Sequence, residues 1–348
     1  MIFPKYIKPG DTIAVTAPSR PMHSEDDIKR FMHGKEQLEA RGYKVYFTEN
    51  VFAEPDAFGR SSSAQIKAQQ FNACIKDPQV GAVCSACGGD FLAEMLPFVD
   101  IEAFRENPKW FQGYSDNTSL CYYLATKADV AAAYGANFSD FGMDPWQECV
   151  SRGLGVLEGR VKVQESFAFY QDGLFGSDEI FSGYNRDKCV EWRNVLGQKH
   201  GQINMTGRLL GGCLDVLMNL SGTPYDGTLE FIEKYKDDGI IWFLESFDLH
   251  FEQMMESLWK MKEMGWFKHT NGIIFGRQLF YPETAYDGTL LPSYEDVIKE
   301  RLAPLDIPVI MDADIGHKGP QFVMIEGALA KVESAGGKGR IEYTGMAD

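Results

Sequence analysis

Lys109-Trp110-Phe111-Gln112-Gly113-Tyr114-Ser115-Asp116-Asn117-Thr118 is the segment whose residue types and order point most directly to chemistry. An apolar, strand-like run enters Gly113, a serine follows, and a helical pattern starting near Asn117 continues through Leu120, Tyr123 and Leu124. At such a strand–turn–helix elbow the serine hydroxyl is pushed out above the sheet. The backbone N–H groups that follow point the same way, ready to hold an oxyanion. The plainer alternative is that Ser115 or Asn117 caps the helix. Gly-Tyr-Ser-Asp is not the G-x-S-x-G pattern, so α/β-hydrolase membership does not follow.

A serine nucleophile requires a base, usually histidine, and a carboxylate to orient it. Of the six histidines, His23, His33, His200 and His269 read as surface, and His250 opens a helix. His317 differs: it directly follows an apolar strand, in Met311-Asp312-Ala313-Asp314-Ile315-Gly316-His317-Lys318-Gly319-Pro320, between glycines that let the chain turn sharply. For the carboxylate, Glu245 closes the apolar run Ile240-Ile241-Trp242-Phe243-Leu244, where burial without a partner is costly. Asp312 and Asp314 compete by closeness to His317. Asp116 reads as lending its backbone N–H rather than its side chain. Gly88-Gly89-Asp90 follows another buried strand and is either a second oxyanion donor or a simple turn.

Other chemistries find less support. Cys84-Ser85-Ala86-Cys87 is a lone C-x-x-C, and no second pair of ligands stands near it to complete a zinc site, so a redox role is the weaker reading left. The seven cysteines are odd in number and scattered, unlike a disulfide framework. Neither nucleotide-binding fingerprint, G-x-G-x-x-G or G-x-x-x-x-G-K-[ST], occurs.

The elements that must position these groups follow from periodicity. Thr12–Thr16, 45–47, 81–84 and 110–112 read as strands, separated by helices over 24–41 (capped by Ser24, stopped at Gly42) and 65–75. That alternation predicts a parallel sheet with ligands at the carboxyl ends of its strands, where Pro18-Ser19, Gly88-Gly89 and the Ser115 turn fall. From about 165 to 204 the pattern dissolves into turns and aromatics: Phe167, Phe169, Tyr170, Phe175, Phe181, Tyr184 and Trp192. They are either a substrate wall or packing beneath a long loop. A second unit has strands near 207–210, 240–244, 273–275 and 309–311, and a closing hairpin over 328–333 and 339–343. Its Met-rich helix carries Phe251, Met254, Met255, Leu258 and Trp259 on one face, which reads as core.

With 348 residues the chain is long enough for two domains, and 34 basic against 50 acidic side chains give a net charge of −16. That charge disfavours nucleic acid and anionic membranes as partners. No run approaches the roughly 20 apolar residues of a membrane span, and the first residues lack a signal-like apolar stretch, so the expected location is cytoplasmic. The charge also raises the question of where positive potential for an anionic ligand would come from.

Six short motifs appear in order: Gly10-Asp11-Thr12-Ile13-Ala14-Val15-Thr16-Ala17-Pro18-Ser19, Gly88-Gly89, Gly113-Tyr114-Ser115-Asp116, Gly207-Arg208-Leu209-Leu210-Gly211-Gly212, Phe243-Leu244-Glu245 and Gly316-His317. Together they resemble the LD-carboxypeptidase family of serine peptidases, including its microcin C self-immunity branch. The resemblance implies Ser115 as nucleophile, His317 as general base and Glu245 as orienting acid, with the amides of Asp116 and Gly88-Gly89 as oxyanion hole. It also implies a homodimer, no metal and no cofactor. The implied fold is α/β, a flavodoxin-like parallel-sheet N-terminal domain (1–164) and a C-terminal α+β domain (206–348), joined by a connector (165–205).

Murein-processing members usually carry an arginine before the Gly-Gly pair, whereas this chain has Cys87, and Ala136 stands where members tend to have proline. The first departure leans toward the immunity branch, whose substrates are aminoacyl- or peptidyl-nucleotides. In that branch a connector tryptophan stacks on the nucleobase, a place that Trp192 would fill, with Arg208 and Lys318 as nearby cations. The alternatives are a cytoplasmic murein tetrapeptide LD-carboxypeptidase and a catalytically silent binding protein on the same scaffold. A cysteine amidotransferase-like enzyme ranks last, because no cysteine sits on an elbow as good as that of Ser115.

Overall fold

Ser24 caps the first helix by accepting from the Asp27 N–H, three acidic residues occupy the first turn, and Gly42, at φ +90°, takes the chain out of it. Such local signals delimit most elements of the computed structural model, which describes residues 1–174, 179–199 and 201–346. Phe175 and His200 lie outside the described residues.

The strands of the first half are β1 (Thr12–Thr16), β2 (Lys44–Phe47), β3 (Val80–Ser85), β4 (Trp110–Gly113) and β5 (Ala133–Tyr134). Helices α1 (Glu25–Glu39), α2 (Ala64–Lys76), α3 (Ile101–Glu106) and α4 (Thr118–Ala128) connect them in turn. The strands lie parallel in the order β2-β1-β3-β4-β5, the flavodoxin-like arrangement, with the strand order reversing between β1 and β3. Helix α5 (Glu148–Leu157) closes this portion.

The chain then adds β6 (Val163–Glu165), β7 (Phe169–Tyr170), β8 (Lys188–Cys189), β9 (Arg193–Leu196) and β10 (Gln202–Cys213). The second half supplies β11 (Ile240–Glu245), β12 (Thr270–Gly276), β13 (Val309–Ala313), β14 (Met324–Ile325), β15 (Leu329–Ala335) and β16 (Lys338–Thr344). A separate mixed sheet runs β6-β16-β15-β10-β11-β12-β13-β9, parallel across β10 to β13 and antiparallel at both flanks. Strand β11 is buried along its whole length, which accounts for its unbroken apolar text.

Three features depart from periodicity. The stretch expected as connector supplies β9, an edge strand of the second sheet, the last residue of the other edge strand, β6, and the start of β10, while β7 and β8 pair only with each other. Strand β10, expected near 207–210, starts at Gln202 and runs through Gly211-Gly212 to Cys213, directly before the next helix, α6 (Leu214–Leu220). β14 crosses back from the second half to pair antiparallel with β5, so a two-residue strand late in the chain edges the first sheet. Two residues are too few for a period-2 signal.

Candidate active site

Ser115 stands at the carboxyl end of β4, in a single 3-10 turn before α4. Its φ is +67°, a left-handed conformation that costs a non-glycine residue about 1 kcal/mol. Neighbours hold it there. Asn117 Nδ2 donates to the Tyr114 carbonyl at 2.9 Å and the Cys87 carbonyl at 3.2 Å, and the Thr118 hydroxyl donates to the Ser115 carbonyl at 2.7 Å.

Glu245 ends β11 and is 0% exposed. Its Oε1 accepts from the Tyr134 hydroxyl at 2.6 Å, and its Oε2 lies 2.8 Å from His317 Nδ1. The other ring nitrogen, Nε2, is 3.0 Å from Ser115 Oγ. With the Nδ1 proton directed at Glu245, the hydroxyl of Ser115 donates to Nε2. Gly316, at φ +92°, brings this loop in, and a Cβ there would stand 2.6 Å from Glu245 Oε2. The rings of Tyr114 and Phe247 flank the imidazole, with centroids 5.1 and 4.9 Å away, and restrict its rotation.

Burial opposes a charge on Glu245, but the attraction of His317 and the bonds from His317, Tyr134 and Cys213 outweigh it and hold the carboxyl below its ordinary value. Burial, with Glu245 beside it, pushes the Tyr134 phenol well above its ordinary value, so it stays a donor. Tyr134 also accepts the Ser115 N–H at 3.2 Å, which removes that amide from the set free to hold an oxyanion. The N–H groups of Asp116, Gly88 and Gly89 have no acceptor among the described residues. Gly88 is pressed against the serine: a Cβ on it would lie 2.9 Å from Ser115 Cβ and 3.0 Å from Oγ.

The Asp116 side chain does more than its sequence reading allowed. Its Oδ2 accepts from the Ser19 hydroxyl and from the Leu92 N–H at 3.0 Å, so one carboxylate ties together the loops after β1, β3 and β4. Burial raises its pKa to about 6. Tyr134 and the flanking ring of Phe247 also escaped sequence reasoning. No local pattern marks Tyr134, and no spacing rule links it to a glutamate 111 residues away.

The remaining sequence expectations separate clearly. Asp314 is buried against Arg277 at 3.0 Å and the Trp192 indole N–H at 3.0 Å, and Asp312 pairs with Arg193, so neither orients His317. Trp192 is 2% exposed and packs on Phe322 and Gly339, leaving no face for a nucleobase. Arg208 lies opposite Ile240 at the start of β11, five residues and about 16 Å of strand from Glu245, and is paired with Asp238 at 2.6 Å. Lys318 follows His317, but its ammonium is held by Asp172 at 2.6 Å. Cys84 and Cys87 are buried, unpaired thiols. Among the described residues no cluster of three or more His, Cys, Asp or Glu is placed to hold a metal, and no helix is long and apolar enough to cross a membrane.

Hydroxyl, imidazole and carboxylate in series at the carboxyl edge of a parallel sheet are the arrangement of serine hydrolases. The family descriptions "LD-carboxypeptidase N-terminal domain" and "LD-carboxypeptidase C-terminal domain" match residues 13–135 and 206–332, and the chain belongs to the LD-carboxypeptidase family. It is similar to the Microcin C7 self-immunity protein MccF of Escherichia coli, at 26% identity over 93% of this chain and 91% of that one. A protein of that name, solved in complex with aspartyl sulfamoyl adenosine, shares the fold at 22% identity and a TM-score of 0.79, with all of both chains covered. The chain is 24% identical to the "Probable murein peptide carboxypeptidase" of Bacillus subtilis, over 95% of this chain and 92% of that one. An MccF-like protein from Bacillus anthracis superposes with a TM-score of 0.81 at 26% identity, covering 99% of this chain and 100% of that one.

Two outcomes follow. The Asp116 carboxyl titrates near pH 6 when folded and near 3.9 when unfolded, so between these values the folded state holds a proton that the unfolded state releases, and stability falls as pH rises. Asp116→Asn keeps an acceptor for Ser19 and Leu92 without the charge. Its urea-unfolding free energy should therefore gain about 2 kcal/mol on wild type between pH 4 and pH 7; a pH-independent difference contradicts this. Trp192→Ala should cost about 3–5 kcal/mol of stability, measured the same way, as expected for a core indole. A base-stacking role would instead raise KM and leave stability unchanged.

Proposed function

We propose that this chain is a serine peptidase that hydrolyses an amide through an acyl-enzyme. Ser115 attacks the carbonyl, and His317 takes the hydroxyl proton at Nε2 and returns it to the leaving nitrogen. Glu245 holds the Nδ1 tautomer and balances the imidazolium that forms. The oxyanion is received by the N–H groups of Asp116 and of the Gly88-Gly89 turn. Water then resolves the ester with His317 as base.

The observation that carries this reading is the relay itself, Ser115 Oγ to His317 Nε2 at 3.0 Å and His317 Nδ1 to Glu245 Oε2 at 2.8 Å. Burial accounts for Glu245 taking a partner in His317, but not for the second ring nitrogen of that histidine meeting the hydroxyl of a strained serine. The division at 1–164, 165–205 and 206–348 belongs to the same reading, with the nucleophile in the first part and its two partners in the last.

For the substrate, the reading takes an aminoacyl- or peptidyl-nucleotide of the immunity type, cleaved in the cytoplasm by a homodimer. The Cys87 departure and the likeness to MccF, solved with an aminoacyl sulfamoyl nucleoside, support it. The likeness to the murein peptide carboxypeptidase supports a second reading, in which a murein tetrapeptide loses its terminal D-residue.

A fluorophosphonate probe should label wild type on Ser115 and leave Ser115→Ala unlabelled; an unlabelled, folded wild type would favour the silent binding protein. Glu245→Gln, which loses the charge behind His317, should lower kcat by about 10⁴-fold. An L,D-tetrapeptide and an aminoacyl-adenylate analogue, assayed side by side for product, decide between the substrates.

A further inference from the structure

The loop after β1 carries Arg20, an exposed side chain that forms no ion pair among the described residues. Other basic groups nearby are committed. Lys67 is buried and donates to the Phe91 carbonyl at 3.2 Å, Arg277 is locked on Asp314, and Lys318 on Asp172. Unlike Arg277 and Lys318, Arg20 meets no carboxylate: its guanidinium has the Cys87 side chain as hydrogen-bonding neighbour and no acid in ion-pair range among the described residues.

Its position is set by backbone. A Cβ on Gly89 would lie 3.2 Å from both Cβ and Cγ of Arg20 and 3.3 Å from its backbone nitrogen, so the stem of the arginine rests on this glycine. The preceding residue, Gly88, rests on Ser115 Oγ. Strands β1, β3 and β4 are adjacent and parallel, so the loops bearing Arg20, Gly88-Gly89 and Ser115 emerge at one edge. Two inter-strand steps give a lateral separation of about 10 Å. The β1/β3 junction is also where the strand order reverses, the crevice in which open α/β sheets place ligands. The charged and titratable groups acting on the guanidinium are the Cys87 thiol, Asp27 at the start of α1 and the Tyr114 hydroxyl.

We propose that Arg20 is the anion anchor of this site, its guanidinium binding the negatively charged oxygens that the substrate carries beside the scissile amide. The proposal rests on the serine-peptidase reading and adds a specificity determinant to it. A planar guanidinium takes two oxygens of a carboxylate or a phosphoryl group at once, and either source satisfies the same chemistry. It also answers the charge question: in a chain of net charge −16, one arginine that no carboxylate neutralises, its stem on the Gly89 turn, supplies local potential that Arg208 and Lys318 do not.

The test uses full-length protein and the fluorophosphonate label on Ser115, with each variant's rate normalised to its own rate without added ligand. N-acetyl-D-alanine and AMP present the carboxylate and the phosphate, and N-acetyl-D-alaninamide is the neutral control. One of the two anions should protect wild-type Ser115 from labelling while the amide does not, which identifies the source. Arg20→Gln should weaken that protection at least tenfold, with Arg20→Lys in between. Equal protection in Arg20→Gln and wild type overturns the proposal, as does protection by the amide or by neither anion, and each leaves the serine reading standing. Failure of wild type to label removes the serine reading and the proposal with it.

Discussion

The carboxylate of Glu245 is the constraint on which the rest of the site depends. A charge with no solvent contact is tolerated only when its oxygens are bonded and an opposite charge or dipole faces it. Here one oxygen takes the Tyr134 hydroxyl from the first sheet and the other faces His317 from the loop after β13. Satisfying one buried group thus joins the end of β5, the end of β11 and a loop more than seventy residues further on. The same tyrosine accepts the Ser115 amide, so the Glu245 carboxylate and the Ser115 backbone share one phenol.

Strain at Ser115 is the complementary feature. A left-handed serine persists because Asn117 and Thr118 saturate the carbonyls around it and Gly88 leaves no room for it to relax toward the turn. The Asp116 carboxylate then fixes the loops after β1 and β3 relative to this elbow. The amides that would receive an oxyanion are held before any substrate arrives, and preorganisation of this kind is where electrostatic catalysis gains most.

The acidic surface and the interior of the site obey different rules. Exposed carboxylates spread over a large surface are screened beyond about 10 Å at 0.1 M salt, whereas the few dipoles and cations at the crevice act at contact. Net charge therefore speaks to solubility and to unlikely macromolecular partners, and not to the charge of a small substrate.

Much of this was legible in the residues alone. Strand–glycine–serine–helix order marked the elbow, an acid closing an apolar strand marked Glu245, and a glycine-flanked histidine after a strand marked His317, because each is a local departure from a local period. The α/β alternation of the first half followed from the same periodicity. What the chain could not declare locally were relations between distant segments: that Glu245 and not Asp314 faces His317, that Tyr134 joins Glu245 to the Ser115 amide, that Trp192 is walled into the core, and that Arg208 lies opposite the start of β11, away from Glu245. Sequence determines which side chains are available and on which element each is carried. Direction and partner are decided only when the two sheets pack, because a buried polar group takes whichever neighbour the register brings within hydrogen-bonding distance.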